Sequence, residues 1–180
     1  MVVCVDDRTR VTPTEAFELV FAFNNRRYVE RKGFTVNANM FVWRDVFTKV
    51  GLFRAGVPED VDWGYRATAL GFRLRYAVDA VVEHPARREW SDLIRKWRLI
   101  SANHYALARK KRFGKLRFFA RSWLVLISPL VDIPVVLLSG KIKSFDHRLK
   151  AISVLVRLRA WRFVESNRIL LKAALGRNPE

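Results

Sequence analysis

The pattern of apolar and polar residues in the first half of the chain predicts short helices and strands. Thr12-Pro-Thr-Glu15 marks a helix start, because Thr12 can act as the N-cap and Glu15 stands three residues later. The apolar spacing that follows predicts one helix reaching about Glu30, and Gly33 ends this region.

Glycines separate the elements that follow. Residues 34–43 predict a strand, or an extended loop entering a strand, whereas Gly51 and Gly71 favour the ends of two helices. The predicted elements are strands at residues 2–5, 72–77 and 80–83, helices at residues 44–50 and 60–70, and a loop at residues 52–59. Strands and helices thus alternate through this half.

The second half predicts longer and more basic helices. Residues 90–111 form a basic amphipathic pattern with Ser91 as the predicted N-cap, and a second such pattern covers residues 145–175. Residues 1–90 hold 14 basic and 12 acidic side chains, a net charge of +2, whereas residues 91–180 hold 20 and 5, a net charge of +15. The charge of the protein is therefore concentrated in its helical second half.

An apolar segment at residues 122–139 lies between the two basic patterns, flanked by Arg121 and Lys141. Its length and flanks just reach those of a membrane span. Asp132 and two prolines favour a kinked, re-entrant or interfacial segment instead. The sequence leaves both interpretations open.

Composition excludes several classes of protein. Apolar residues make up 51% of the chain, which is enough for a core and excludes a fully disordered protein. Cys4 is the sole cysteine, so an internal disulfide and a cysteine zinc site are excluded. The basic half indicates an anionic partner, and no helix-turn-helix, zinc or RNA-binding pattern occurs. We therefore expect an anionic membrane surface and no nucleic acid.

Three carboxylates stand at a predicted loop-to-helix junction, in Val57-Pro-Glu-Asp-Val-Asp-Trp63. Carboxylates stabilise the first turn of a helix, so capping competes here with a catalytic interpretation. The surrounding order favours catalysis: Asn37-Ala-Asn-Met-Phe-Val-Trp43 precedes the acids, and Gly71-Phe-Arg-Leu-Arg-Tyr-Ala77 and Val81-Val-Glu-His-Pro-Ala-Arg87 follow them. These motifs, in this order and spacing, resemble the acceptor half of family 2 glycosyltransferases.

The resemblance covers residues 12–100 and implies the GT-A fold. The expected class is α/β: an incomplete, Rossmann-like GT-A domain at residues 1–100, followed by a helical, basic, membrane-associated tail at residues 101–180. It also implies that Asp60 is the general base of an inverting transfer. The acceptor hydroxyl must lose a proton as it attacks, and a carboxylate beside it accelerates that step about 10²–10⁴-fold.

The neighbours of Asp60 have less defined roles under the same resemblance. Glu59 and Asp62 would shape the loop, orient Asp60 or contact the acceptor. Trp63 would either stack on a sugar ring or belong to the core. Asn37 and Asn39 match a loop beside the acceptor site, where amides could bind sugar hydroxyls, and turn hydrogen bonding is the competing role.

Two further motifs match the family weakly. His84 falls where some GT-A enzymes place a metal ligand, and a structural histidine is the alternative. Arg95-Lys-Trp-Arg98 is similar to a basic-tryptophan motif that contacts the diphosphate; here Arg95, Trp97 and Arg98 match, but the glutamine of that motif is missing. A solvated or lipid-facing basic helix is the competing interpretation.

Family members also carry a nucleotide-binding half with an Asp-x-Asp site for Mg²⁺ or Mn²⁺, and this chain contains no counterpart. Asp6-Asp7 after the first strand does not have that spacing. We therefore expect a truncated enzyme, weak or inactive alone, or a partner chain that supplies the missing half. A non-catalytic, membrane-associated remnant is the alternative. The expected partners are a nucleotide-sugar donor and a glycan or lipid-linked acceptor, at the cytoplasmic face of the cell membrane.

Overall fold

A computed structural model describes residues 2–5, 7 and 10–176, so Asp6 of the Asp6-Asp7 pair lies outside the described residues. The described elements, in chain order, are β1 (Val2–Cys4), α1 (Pro13–Phe21), α2 (Asn25–Lys32), a 3₁₀ turn (Asn37–Asn39), α3 (Arg44–Val50), α4 (Glu59–Ala69), β2 (Glu83–Pro85), α5 (Trp90–Ala108), α6 (Gly114–Ile127), α7 (Pro129–Leu137) and α8 (Phe145–Ala174). This part of the chain is mostly helical with one two-stranded parallel sheet, which is compatible with a mixed α/β class.

The chain divides into two compact units. Unit 1 is Met1–Cys4 with Phe23–His84, and unit 2 is Val5–Ala22 with Pro85–Glu180. Residue 100, the predicted boundary, falls inside α5 of unit 2. The predicted division into an acceptor part and a membrane tail concerns function, and it stays a prediction.

Unit 1 has a small core built where α3 and α4 pack together. Val50, Trp63 and Ala67 are buried there, and partly buried aromatic and aliphatic side chains surround them. Both helices were predicted closely: α3 spans residues 44–50 and ends at Gly51, whose φ of +85° suits glycine. Helix α4 begins one residue before its predicted start.

The predicted strands of unit 1 are confirmed only in part: the strand at residues 2–5 occurs as β1, Val2–Cys4. Residues 72–77 form no strand, and residues 34–43 contain the 3₁₀ turn and no strand, with extended backbone at Val36, Met40 and Trp43. The strand predicted at residues 80–83 was misplaced: β2 spans Glu83–Pro85 beside β1 and shares only Glu83 with the predicted range. A strand needs a partner to complete its hydrogen-bond ladder, and within the described residues only β1 and β2 pair. The alternating pattern of residues 72–77 therefore predicted a strand for which the described part of the chain offers no pairing partner.

The predicted helix from Thr12 to Glu30 is two helices. The capping box is confirmed, because the Thr12 hydroxyl accepts from the Glu15 N–H at 3.2 Å and Glu15 accepts from the Thr12 N–H at 2.8 Å. The break comes at two residues: Ala22 has an extended backbone that ends α1, and Phe23 has a left-handed φ of +52°, which cannot continue a right-handed helix. Asn24 then caps α2, and Gly33 ends it with φ +69°.

Unit 2 is organised around α8, a 30-residue helix against which α1, α5, α6 and α7 pack. Leu93, Leu155 and Leu158 are fully buried at its centre. The basic pattern at residues 145–175 thus correctly predicted α8, whose inner face supplies four of the ten buried residues of this core. Helix α5 starts at Trp90 with Glu89 at the N-cap, so Ser91 as cap was wrong.

The apolar segment at residues 122–139 is helical and broken. It covers the second half of α6 and all of α7, with Pro129 opening the second helix. No single helix among the described residues is long and apolar enough to cross a membrane; α6 and α7 together meet those criteria, with a bend of 41° between them.

Candidate active site

Asp60 lies in the first turn of α4, where the sequence predicted a catalytic carboxylate. Its Oδ1 accepts a hydrogen bond from the Val61 N–H at 2.9 Å, and the side chain is half-buried. Glu59, the first residue of the helix, is exposed. Unpaired N–H groups at a helix start attract acidic side chains, so both acids occupy a position that is common for carboxylates. Within the described residues neither Asp60 nor Glu59 forms an ion pair.

Asp62 differs from its neighbours because it is held by two arginines. Arg66 Nε lies 2.9 Å from Asp62 Oδ2, and Arg54 Nη1 lies 3.7 Å from Oδ1. The Arg66 guanidinium also donates to the carbonyls of Val50 and Leu52. These contacts fix the loop after α3, which is the loop-shaping role among those predicted for Asp62. The spacing of Asp62 and Arg66, four residues on a helix, was a signal for this pair.

Trp63 is a core residue, with only 3% of its surface exposed. Its indole N–H donates to the Gly51 carbonyl at 2.9 Å. Its ring stacks on Phe47 at a centroid distance of 5.8 Å and meets Phe53 at 6.1 Å. Trp63 thus belongs to this core, and it also lines the cavity that lies beside it.

A cavity of about 240 Å³ opens in unit 1 beside this core. Asn39 lines it and donates from Nδ2 to the Ala80 carbonyl at 3.0 Å. Sequence reasoning missed three other lining residues: Asn25, which is 7% exposed, and Arg73 and Arg75. No periodic pattern distinguished Asn25 from the rest of α2, and the two arginines alternated as in a strand.

The amide oxygens near this cavity lack partners in the described part of the chain. The Oδ1 atoms of Asn25, Asn37 and Asn39 are buried and accept no hydrogen bond there. A buried acceptor without a donor costs about 1–3 kcal/mol. Of the three residues, Asn25 and Asn39 line the cavity, where a hydroxyl or N–H of a ligand would satisfy their amide oxygens. Asp60 does not line this cavity. The structure therefore brings Asn25 and Asn39 together, but not with the predicted base.

The described residues do not by themselves form a metal site. The ring of His84 packs against Phe23, with centroids 4.7 Å apart. No cluster of three or more histidine, cysteine, aspartate or glutamate side chains occurs in the described ranges. The divalent cation implied by the family resemblance thus finds no set of ligands here.

The basic-tryptophan motif lies on α5 in unit 2, where it contacts α8. The Arg162 guanidinium lies 4.0 Å from the centre of the Trp97 ring, and Arg98 Nε lies 4.0 Å from Glu165. Burial lowers the pKa of Arg162 to about 9, and repulsion from the positive charge of Arg159 contributes to the decrease. Arg162 is therefore still charged at neutral pH. Arg95 is exposed and pairs with Asp92 at 3.5 Å. Trp97 therefore has a structural contact, the cation–π pair with Arg162.

The chain is similar to Glycosyltransferase AglE from Haloferax volcanii, with 26% identity over 152 residues. The match covers 83% of this chain and 50% of the relative, so the chain spans about half the relative's length. No protein-family profile matches the chain. No solved structure matches it either.

Proposed function

We propose that this chain is the acceptor-side part of a family 2 glycosyltransferase with an incomplete GT-A fold. It would act in the inverting transfer of a sugar from a nucleotide-sugar donor to a membrane-associated or envelope glycan. The observation that carries the proposal is the position of Asp60: among the three acids of the α4 first turn, it is half-buried and not paired with an arginine as Asp62 is. The similarity to a glycosyltransferase over most of the chain supports the same reaction class.

The reaction needs one base and no protein nucleophile. The acceptor hydroxyl attacks the anomeric carbon while the bond from that carbon to the diphosphate oxygen breaks, and the hydroxyl proton passes to Asp60. Since Asp60 Oδ1 accepts from the Val61 N–H, we assign Oδ2 as the oxygen that takes the proton. The ring at the anomeric centre gains oxocarbenium character, as in glycoside hydrolysis.

The donor side would come from polypeptide other than the residues described here. Neutralising the leaving diphosphate is a large part of catalysis in such transfers, and it needs cations placed at the leaving oxygen. The relative is about twice as long as the match, which leaves room for such a half. We therefore expect weak or no turnover from this chain alone. A membrane-associated subunit without catalysis of its own is the alternative.

Complementation of a deletion strain tests the proposal in the presence of any partner polypeptide. The gene is deleted in the source organism, and its envelope glycans and lipid-linked glycans are profiled by mass spectrometry. Wild type, Asp60→Asn and Asp45→Asn are then returned, with protein levels checked by immunoblot. Asp45 is the matched control, because it is an exposed acid in the first turn of α3.

The proposal predicts that deletion removes a glycan and that wild type and Asp45→Asn restore it. Asp60→Asn should leave it at least about 100-fold below wild type, the lower end of a general base's contribution. Restoration by Asp60→Asn would favour the non-catalytic subunit. An unchanged glycan profile after deletion would overturn the proposed function altogether.

A further inference from the structure

Helix α6 exposes an apolar stripe along its outer face. The stripe follows helical spacing and consists of Leu116, Phe119, Trp123, Leu124 and Ile127. The opposite face is buried at Gly114, Phe118 and Ser122, where the helix packs on α8. One side of α6 is therefore covered by the protein, whereas the other presents large hydrophobic side chains to the surroundings.

Helix α7 continues this apolar surface after the 41° bend. Its exposed side chains include Leu130, Val131 and Val135, with Leu138 directly after the helix, and Leu130 is 78% exposed. Its one acid, Asp132, is paired with Arg159 of α8 at 2.8 Å, and both side chains are largely buried. The negative charge is thus neutralised on the inner side, and the outer side of α7 is free of it. We call these exposed residues of α6 and α7 the apolar face.

Cations border the apolar face along the chain. Nine lysines and arginines but only one acid occur from residue 109 to residue 143. All nine are exposed: Arg109, Lys110, Lys111, Arg112, Lys115, Arg117, Arg121, Lys141 and Lys143. An apolar surface of this kind marks an interaction site, and the cations select an anionic partner.

We infer that the apolar face lies in the plane of an anionic lipid bilayer. Its side chains would enter the boundary between headgroups and acyl chains, and the neighbouring cations would contact lipid phosphates. An in-plane position follows from two observations. The inner faces of both helices pack on α8, so neither helix is free to be surrounded by lipid. In the first eight residues of α6, Lys115, Arg117 and Arg121 alternate with the exposed Leu116 and Phe119, so cations and apolar side chains share one stretch of the helix. Long basic side chains on an in-plane helix can reach the headgroups.

Charge also distinguishes this partner from a second copy of the chain. Two copies joined through the apolar face would bring two sets of nine cations close together, with one acid each that is already paired. An anionic bilayer instead offers each cation a counter-charge. This inference stands on unit 2 alone and does not depend on the proposed glycosyl transfer.

Vesicle flotation of the purified full chain tests the inference. Phosphatidylcholine vesicles are compared with vesicles that contain about 30% phosphatidylglycerol, which gives them an anionic surface. Each vesicle type is tested at low and at high salt. We expect binding to the anionic vesicles to be at least tenfold stronger and to weaken in high salt. Equal binding to both vesicle types, or no binding to either, would overturn the inference.

Matched double variants test the surface itself. Leu124→Ser/Leu130→Ser changes two exposed leucines of the apolar face, and Leu52→Ser/Leu70→Ser changes two equally exposed leucines in unit 1. The first should lose at least tenfold in binding to anionic vesicles, whereas the second should bind as wild type. Far-UV circular dichroism of each variant checks that the helices are retained. Equal loss in both variants, or in neither, would contradict the assignment.

The fluorescence of Trp123 reports how deeply the apolar face enters the bilayer. Lipids brominated near the headgroup end of the acyl chain should quench part of the fluorescence, and this part should be missing in Trp123→Phe. Stronger quenching by bromines at the bilayer centre, or resistance to extraction by alkaline carbonate, would show a crossing segment and overturn the in-plane position. A lipid-free dimer that is lost in Leu124→Ser/Leu130→Ser, with no vesicle binding, would identify a second copy as the partner.

Discussion

Replacing Glu18 should destabilise unit 2 strongly, because this carboxylate is buried between two cations. Glu18 is 1% exposed. Its Oε2 accepts from the Arg87 N–H at 2.9 Å, and its Oε1 lies 2.8 Å from Arg87 Nη1 and 3.4 Å from Lys96 Nζ. Burial lowers the pKa of Lys96, and the attraction of Glu18 opposes that shift. Without Glu18, the ammonium group of Lys96 would lose its opposing attraction.

The size of the effect follows from the loss of a buried partner. Glu18→Leu leaves the partly buried Arg87 and Lys96 without their carboxylate, and breaking such a pair costs about 3–5 kcal/mol. A protein of 180 residues loses about 2–4 °C in Tm for each kcal/mol of lost stability, so the expected decrease in Tm is about 6–20 °C. Glu18→Gln retains an acceptor for the Arg87 N–H and should lose less.

Urea unfolding followed by far-UV circular dichroism measures the free energy of unfolding. The control is Glu30→Gln, since Glu30 is exposed and pairs with Arg26 four residues earlier on α2. Exposed pairs of this kind contribute about 0.3–0.5 kcal/mol. A loss below about 1 kcal/mol for Glu18→Leu, or an equal loss for the control, would refute the reasoning from burial.

Two further predictions concern the packing that holds α4. In Gly64→Ala the new Cβ would lie 2.8 Å from Phe34 Cα, so the helix must shift at a cost of about 1–3 kcal/mol, whereas Gly140→Ala meets nothing within 4 Å and should be near neutral. Trp63→Phe removes the hydrogen bond to the Gly51 carbonyl and should cost about 1–3 kcal/mol. The same urea titrations check both predictions. Wild-type stability of Gly64→Ala or of Trp63→Phe would contradict the packing described here.

The sequence by itself determined the features that depend on a few neighbouring residues. Two kinds of short-range signal were sufficient. Caps and glycines with positive φ act within one helical turn, and they explain the capping box at Thr12 and the helix ends at Gly33 and Gly51. Apolar residues at helical spacing explain the course of α8. The order of motifs around Asp60 likewise resembles that of a glycosyltransferase, and the chain is similar to one such protein over 83% of its length.

The tertiary structure alone decided which residues meet across long stretches of chain. Sequence periodicity did not show that the helix breaks at Phe23, or that residues 72–77 lack a strand partner in the described part. Nor did it show that Glu18 is buried against Arg87, 69 residues away, or that Trp63 belongs to a core. Burial and pairing depend on which surfaces exclude water from one another, and local periodicity does not carry that information.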